Sequence, residues 1–233
     1  MKIDDINIYC IAIPKRLKYI QDVLFNYYNF PKKKVNFINT VLKKNLSKKK
    51  LINKNIINDN NDLCLGKIAC TMSHLKTMKQ FLRSKKKYAL ILEDDLAKRG
   101  KNKYDKLINI LSHIKIKFDI LFLGRIFSYC KIDKSVNKWV DKTYYSLGGH
   151  SYIISRIGAQ KILDYHNKIN MLNDMYIAQL CYKKHLECYA LKDNLFFQKR
   201  TQKGILKSSI NHKQLQLPKC VNYKRHFEKF NYS

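Results

Sequence analysis

Glycine and proline are scarce in this chain, with 7 and 3 among 233 residues. Acids are scarce too: 17 Asp and Glu stand against 47 Lys and Arg, a formal net charge of +30. No apolar run approaches the roughly 20 residues that a membrane-crossing helix needs, so no segment reads as one. The seven cysteines, an odd number, include no C-x-x-C pair. That spacing argues against a disulfide scaffold and a structural zinc site. Cys10, Cys64, Cys70, Cys130, Cys181, Cys188 and Cys220 therefore read as small apolar residues in a reducing compartment. The opening MKIDDINIYCIAIPKR lacks a charged leader and a small-residue cleavage site, and is expected to be a strand rather than a signal peptide. A cytoplasmic location follows as the expectation.

What is abundant is Lys, Asn, Ile, Tyr and Phe. Their codons are A/T-rich and those of the scarce Gly and Pro are G/C-rich, so the bias reads as genomic, bacterial or viral. A charge of +30 invites a nucleic-acid reading, because phosphates are contacted by Lys and Arg. Against it, the charge is nearly all Lys, whereas bidentate phosphate contacts and base reading favour Arg. No specific nucleic-acid partner is expected. Peripheral attraction to an anionic membrane is the weaker consequence that remains.

Along the chain, apolar runs at 6–13, 35–41, 118–123 and 150–155 read as strands, with a short one at 187–191. Helical spacing covers 16–28, 66–82, 104–114, 157–165 and about 172–182. Residues 42–62, rich in Lys and Asn, read as a long exposed loop. Strands alternating with helices predict an α/β fold, a Rossmann-type mainly parallel sheet flanked by helices. The division expected is one domain over 1–210 and a basic tail over 211–233. Ligands of such sheets bind beyond the carboxyl ends of the strands.

At one such end stands Ala89-Leu90-Ile91-Leu92-Glu93-Asp94-Asp95-Leu96. Three adjacent carboxylates repel one another and gain little from folding alone. Leaving a strand, Glu93 and Asp95 can face one side and Asp94 the other. Mn²⁺ or Mg²⁺ takes one or two carboxylates plus substrate phosphates, so the pair is a candidate ligand set for a cation bridging to a nucleotide diphosphate. Solvation of a strand end, or capping of the next helix, is the plainer alternative.

The block GKIACTMSHLKTMKQFLRSKKKYALILEDDL resembles the signature of glycosyltransferase family 25, with Gly66, Ile68, Cys70, Ser73, His74 and the whole EDD in place. Residues Phe118–Gly124 resemble the family's W-D-I-L-x-L-G strand. His150–Ser155, with Gly158 and Ala159, resembles its H-A-Y-x-I-S-x-x-G-A segment. Asp174, Gln198, Ser209-Ile210 and Arg16 match further positions, so the resemblance spans about 6–210. The sequence departs at Ala12, where Asn is usual, at Lys67, where an acid is usual, and at Gly149, which replaces a Thr.

The resemblance implies a GT-A-like fold, a nucleotide-sugar donor, usually a UDP-sugar, a divalent cation, and inversion at the anomeric carbon. Acceptors would be a glycan, a lipopolysaccharide or a protein. Inversion needs a carboxylate base, for which Asp174 is the first candidate and Asp94 the second; a helix N-cap is the alternative for Asp174. Glu93, Asp95 and His212 are the candidate metal ligands. Arg16, Ser73 and His74 are candidates for the donor, and His150 and Gln198 for the acceptor. A hydrogen-bonded structural role competes for His74, and a surface role for His212. Two other classes stay open: a basic module for nucleic acid or anionic membrane, and a transferase-like protein without activity.

Overall fold

The structure, a computed structural model, describes residues 1–128 and 132–199, together with the backbone of Lys219–Cys220. Its eleven strands are β1 (Ile6–Ala12), β2 (Val35–Asn39), β3 (Tyr88–Glu93), β4 (Ile120–Phe122), β5 (Phe127–Ser128), β6 (Lys134–Ser135), β7 (Val140–Lys142), β8 (Ser146–Leu147), β9 (Ser151–Ser155), β10 (Cys188–Leu191) and β11 (Lys219–Cys220). The α-helices are α1 (Leu17–Gln21), α2 (Lys48–Asn53), α3 (Leu65–Leu82), α4 (Lys103–His113), α5 (Arg156–Tyr165) and α6 (Asn173–Tyr182). A π-helical turn over Asp22–Tyr27 prolongs α1.

The continuous apolar strands are explained by burial on both faces. In β1, Ile8 and Cys10 enter one hydrophobic cluster, while Tyr9 and Ile11 enter the other. The same alternation sends Leu90 and Leu92 of β3 one way and Ala89 and Ile91 the other. Leu107 and Leu111 of α4 cover the first face, with Ile20 of α1. The second face is covered by α3, α5 and α6 through Met78, Phe81, Ile162 and Ile177. An α/β architecture with helices on both faces is thus present as expected.

The sheet is not mainly parallel. Its order is β2-β1-β3-β9-β4-β10-β7-β6. The pairs β2–β1, β1–β3 and β4–β10 are parallel, but β3–β9, β9–β4, β10–β7 and β7–β6 are antiparallel. An apolar run buried on both faces carries no directional mark, so its strand direction is set by how the connecting chain returns. Here the excursion after β4 brings β9 back between β3 and β4 in the opposite sense. Its first residue therefore lies at the carboxyl ends of its neighbours: Leu92 pairs with Ser151, and the Glu93 amide donates to the His150 carbonyl at 3.0 Å.

Two further expectations change. Residues 42–62 are not one exposed loop: α2 forms there, and Leu51 and Ile57 are buried with Leu63, Ile68 and Ile169 in a satellite core. The lysines and asparagines between these apolar positions hide the pattern. The cysteines are not all reduced apolar residues either. Cys181 and Cys188 form a disulfide that ties the end of α6 to the start of β10, and Cys64 is exposed. Only the turn between the two elements brings that pair within bonding reach.

The boundary expected at 210/211 lies outside the described residues, although the backbone of β11 pairs with β5 beside β8. Among the described residues no helix is long and apolar enough to cross a membrane.

Candidate functional site

The end of β3 delivers the three acids to three different neighbours. Asp94 turns toward the segment that follows β1. Its Oδ2 accepts from the Ile13 amide and its Oδ1 pairs with the Arg16 guanidinium, both at 2.8 Å. Asp94 thereby fastens the turn after β1 to the end of β3, and both its oxygens are used. Asp95 accepts from the Gln198 amide at 2.7 Å on Oδ2, while Oδ1 is buried without a hydrogen-bond partner among the described residues. Glu93 meets α3, where His74 Nε2 lies 3.0 Å from its Oε1.

The His74 ring is buried between two partners. A carboxylate only accepts, so Nε2–H donates to Glu93, while Nδ1 lies 3.0 Å from the Tyr152 hydroxyl, which can donate or accept. Cys70 sits one turn earlier on the same face of α3. Its thiol, a ring nitrogen of His74 and a Glu93 oxygen lie within 4.8 Å of one another, a cluster capable of chelating a divalent metal. Ser73 serves a local purpose: its hydroxyl donates to the Ala69 carbonyl at 2.8 Å and accepts from the Val41 amide at 3.0 Å. That ties the end of β2 to α3.

Asp174 enters from the first turn of α6. The N-cap position falls on Leu172, so neither Asn173 nor Asp174 caps the helix. Asp174 Oδ1 instead accepts from the Met175 amide at 2.9 Å. Gly149 lies where the groups converge. A Cβ there would stand 3.0 Å from Glu93 Oε1, 3.7 Å from the Asp174 Cβ and 3.8 Å from His74 Nε2. The Thr-to-Gly departure noted in the sequence therefore opens space among three polar groups. His150 is buried at the same edge, with Nε2 3.4 Å from the Phe196 carbonyl. His212 lies outside the described residues.

Burial and mutual repulsion set the charges. Burial, then the nearby Glu93 charge, pushes the Asp95 carboxyl up to about 7. The same two causes in the same order raise Asp174. Burial would raise Glu93 as well, but the hydrogen bond and charge of His74 outweigh it and hold the carboxyl below its ordinary value. Asp95 thus keeps one buried oxygen without a hydrogen-bond partner among the described residues, next to the charge of Glu93.

Beside the acids a cavity of about 620 Å³ runs over the ends of β1 and β2. Arg16, Lys43, Lys44, Cys70, Ser73 and Glu93 are among its walls. Sequence reasoning missed Lys43 and Lys44 because they stood in an apparent surface loop. It read Cys70 as a small apolar residue and gave Tyr152 no role of its own, although the four-residue step from Cys70 to His74 was a readable signal.

Residues 6–177 match the family described as Glycosyltransferase family 25 (LPS biosynthesis protein). Among curated proteins none matches significantly. Of solved structures, A197 from STIV is similar at 10% identity and a TM-score of 0.39, covering 90% of this chain and 100% of that one. The bifunctional IspDF from Campylobacter jejuni is similar at 9% identity and a TM-score of 0.35, over 79% of this chain and 48% of that one.

Proposed function

Because the chain belongs to glycosyltransferase family 25, we propose that it moves a sugar from a nucleotide-sugar, of the UDP class, to an acceptor hydroxyl with inversion. The acceptor would be a glycan, a lipopolysaccharide or a protein. The observation that carries this reading is the convergence of Glu93, His74 and Asp174 about Gly149, with Glu93 also lining a cavity large enough for a nucleotide and bordered by Arg16, Lys43 and Lys44.

In this reading Glu93 and Asp95 would hold Mn²⁺ or Mg²⁺, which when bound neutralises charge on the departing diphosphate. His212 remains a proposed third ligand. Arg16, oriented by Asp94, faces the donor phosphates from the cavity wall. Ser73 shapes that wall by fixing Val41, and His74 orients Glu93. Asp174, which faces Glu93 and His74 across Gly149, takes the acceptor proton; a carboxyl raised above its ordinary value is a stronger base than an exposed one. Gln198 and His150 border the acceptor side, Gln198 by holding Asp95. The bond from the acceptor oxygen to the anomeric carbon forms as the bond to the diphosphate breaks, and the hydroxyl proton passes to Asp174.

The test is a panel of nucleotide-sugars with and without Mn²⁺, followed by binding and by release of free nucleotide. Metal-dependent binding and turnover of one donor is the expected result. Failure of every nucleotide-sugar to bind in the presence of Mn²⁺ would remove the reading.

A further inference from the structure

We propose that Cys70, His74 and Glu93 form a second cation site, selective for a borderline-soft ion such as Zn²⁺, which shares Glu93 with the carboxylate pair and so opposes it. The opposing effect rests on the transferase reading; the site itself does not.

Residues 70 and 74 are one helical turn apart on α3, which puts thiol and imidazole on one face. The end of β3 sets Glu93 against that face, with Oε1 3.0 Å from His74 Nε2 and all three donor atoms within 4.8 Å. Ligand atoms around a tetrahedral zinc stand about 3.3–3.8 Å apart, given bond lengths of about 2.0–2.3 Å. The one separation of 3.0 Å and the 4.8 Å bound on the others leave donors close enough for small side-chain adjustments to reach that range. Three protein ligands leave a fourth position for water, and Cys70 and Glu93 both line the cavity, which supplies an entry path.

The surroundings support either state of the imidazole. Tyr152 is buried with its hydroxyl 3.0 Å from His74 Nδ1. A tyrosine hydroxyl donates or accepts. It can therefore hold the ring with Nε2–H aimed at Glu93, or with Nδ1–H and a bare Nε2 aimed at an ion. Such outer partners fix the ring of a metal-bound histidine. Selectivity comes from the thiol: a thiolate favours zinc and its neighbours over Mg²⁺ or Mn²⁺, which prefer oxygen. An ion at Cys70–His74–Glu93 takes from the carboxylate pair one of its two oxygen donors.

The full chain is titrated with Co²⁺, whose optical spectrum reports coordination. A tetrahedral visible spectrum with a thiolate-to-cobalt charge-transfer band, bleached by Zn²⁺, is expected. Cys70→Ser should abolish that band. Tyr152→Phe should keep it and weaken Zn²⁺ by roughly 10–100-fold, the usual effect of losing an outer partner. Added Zn²⁺ should release bound Mn²⁺, read by its electron paramagnetic resonance. Absence of the band in the parent chain overturns the site without reference to any variant. Its persistence in Cys70→Ser assigns it to another thiol such as Cys64, and overturns the site equally. Mn²⁺ that stays bound beside Zn²⁺ overturns the opposition between the two sites. A Cys70-dependent band in a chain that binds no nucleotide-sugar supports the site and removes the transferase reading, so the two failures are distinguishable.

Discussion

Asp174 and Asp95 are both half-buried carboxyls raised by desolvation and by Glu93, yet they stand to lose different things on substitution. Asp174→Asn keeps an acceptor for the Met175 amide and removes the ionisable group. Transfer at saturating donor should fall roughly 10²–10⁴-fold, while donor affinity holds and the melting temperature at neutral pH does not fall, because the raised carboxyl is replaced by a neutral amide. A rate near that of the parent chain would move the base elsewhere. Asp95 titrates near 7 in the folded chain, above its unfolded value. The folded state thus holds that proton more tightly, and the cation-free protein loses stability as pH rises from about 4 through 7. Asp95→Asn should remove that loss, raising stability at pH 8 by about 1–4 kcal/mol without Mn²⁺, and should abolish Mn²⁺ binding. Melting curves at pH 5 and 8, with and without Mn²⁺, read both effects. An unchanged pH dependence in the variant would sink the assignment.

At the level of elements, α5 and the link from the end of α6 to β10 support the site from outside it. Gly158 lies in the first turn of α5, where its amide donates to the Ser155 hydroxyl at 2.9 Å. In an exposed helix Gly→Ala gains about 1 kcal/mol. Here a Cβ would stand 2.5 Å from the Asp119 carbonyl oxygen, and backbone cannot step aside cheaply. Gly158→Ala should therefore destabilise by about 1–3 kcal/mol, measured by chemical denaturation; a gain would mean that α5 shifts freely. The disulfide from Cys181 to Cys188 closes a short loop, with a sequence separation of 7. Loop-closure entropy assigns it about 2–3 kcal/mol. Reduction should lower the melting temperature correspondingly, and a Cys181→Ala/Cys188→Ala double variant should match the reduced parent.

For the whole molecule the dominant quantity is the charge of +30. A surface of this kind attracts any polyanion, and such binding releases counterions. For 6–10 phosphate contacts it weakens by roughly 10³–10⁵-fold between 50 and 200 mM salt. Donor binding through half-buried carboxylates and a cation should change far less over the same range. Titrations of single-stranded nucleic acid and of UDP with Mn²⁺, at both salt concentrations, separate the two. Nucleic-acid binding that survives salt while UDP binding fails would favour a basic binding module over the transferase.

The acids of Glu93-Asp94-Asp95, the buried strand before them and the α3 helix carrying Ser73 and His74 were all legible in the chain, because burial periodicity and adjacency are local properties. So was the α/β class, which follows from alternating elements. The direction of β9 was not legible, since an apolar run reads the same in a parallel or an antiparallel strand. Yet that direction brings His150 and Gly149 to the acids. Nor did the chain reveal that Asp94 would be spent on Arg16 and the Ile13 amide, or that Cys70 would face Glu93. Those outcomes depend on groups up to 81 residues apart in sequence meeting at one sheet edge. A residue's type sets the chemistry it can offer. Its partner is chosen by packing, which summed over the whole sheet decides which carboxylate is neutralised and which is left with an open oxygen.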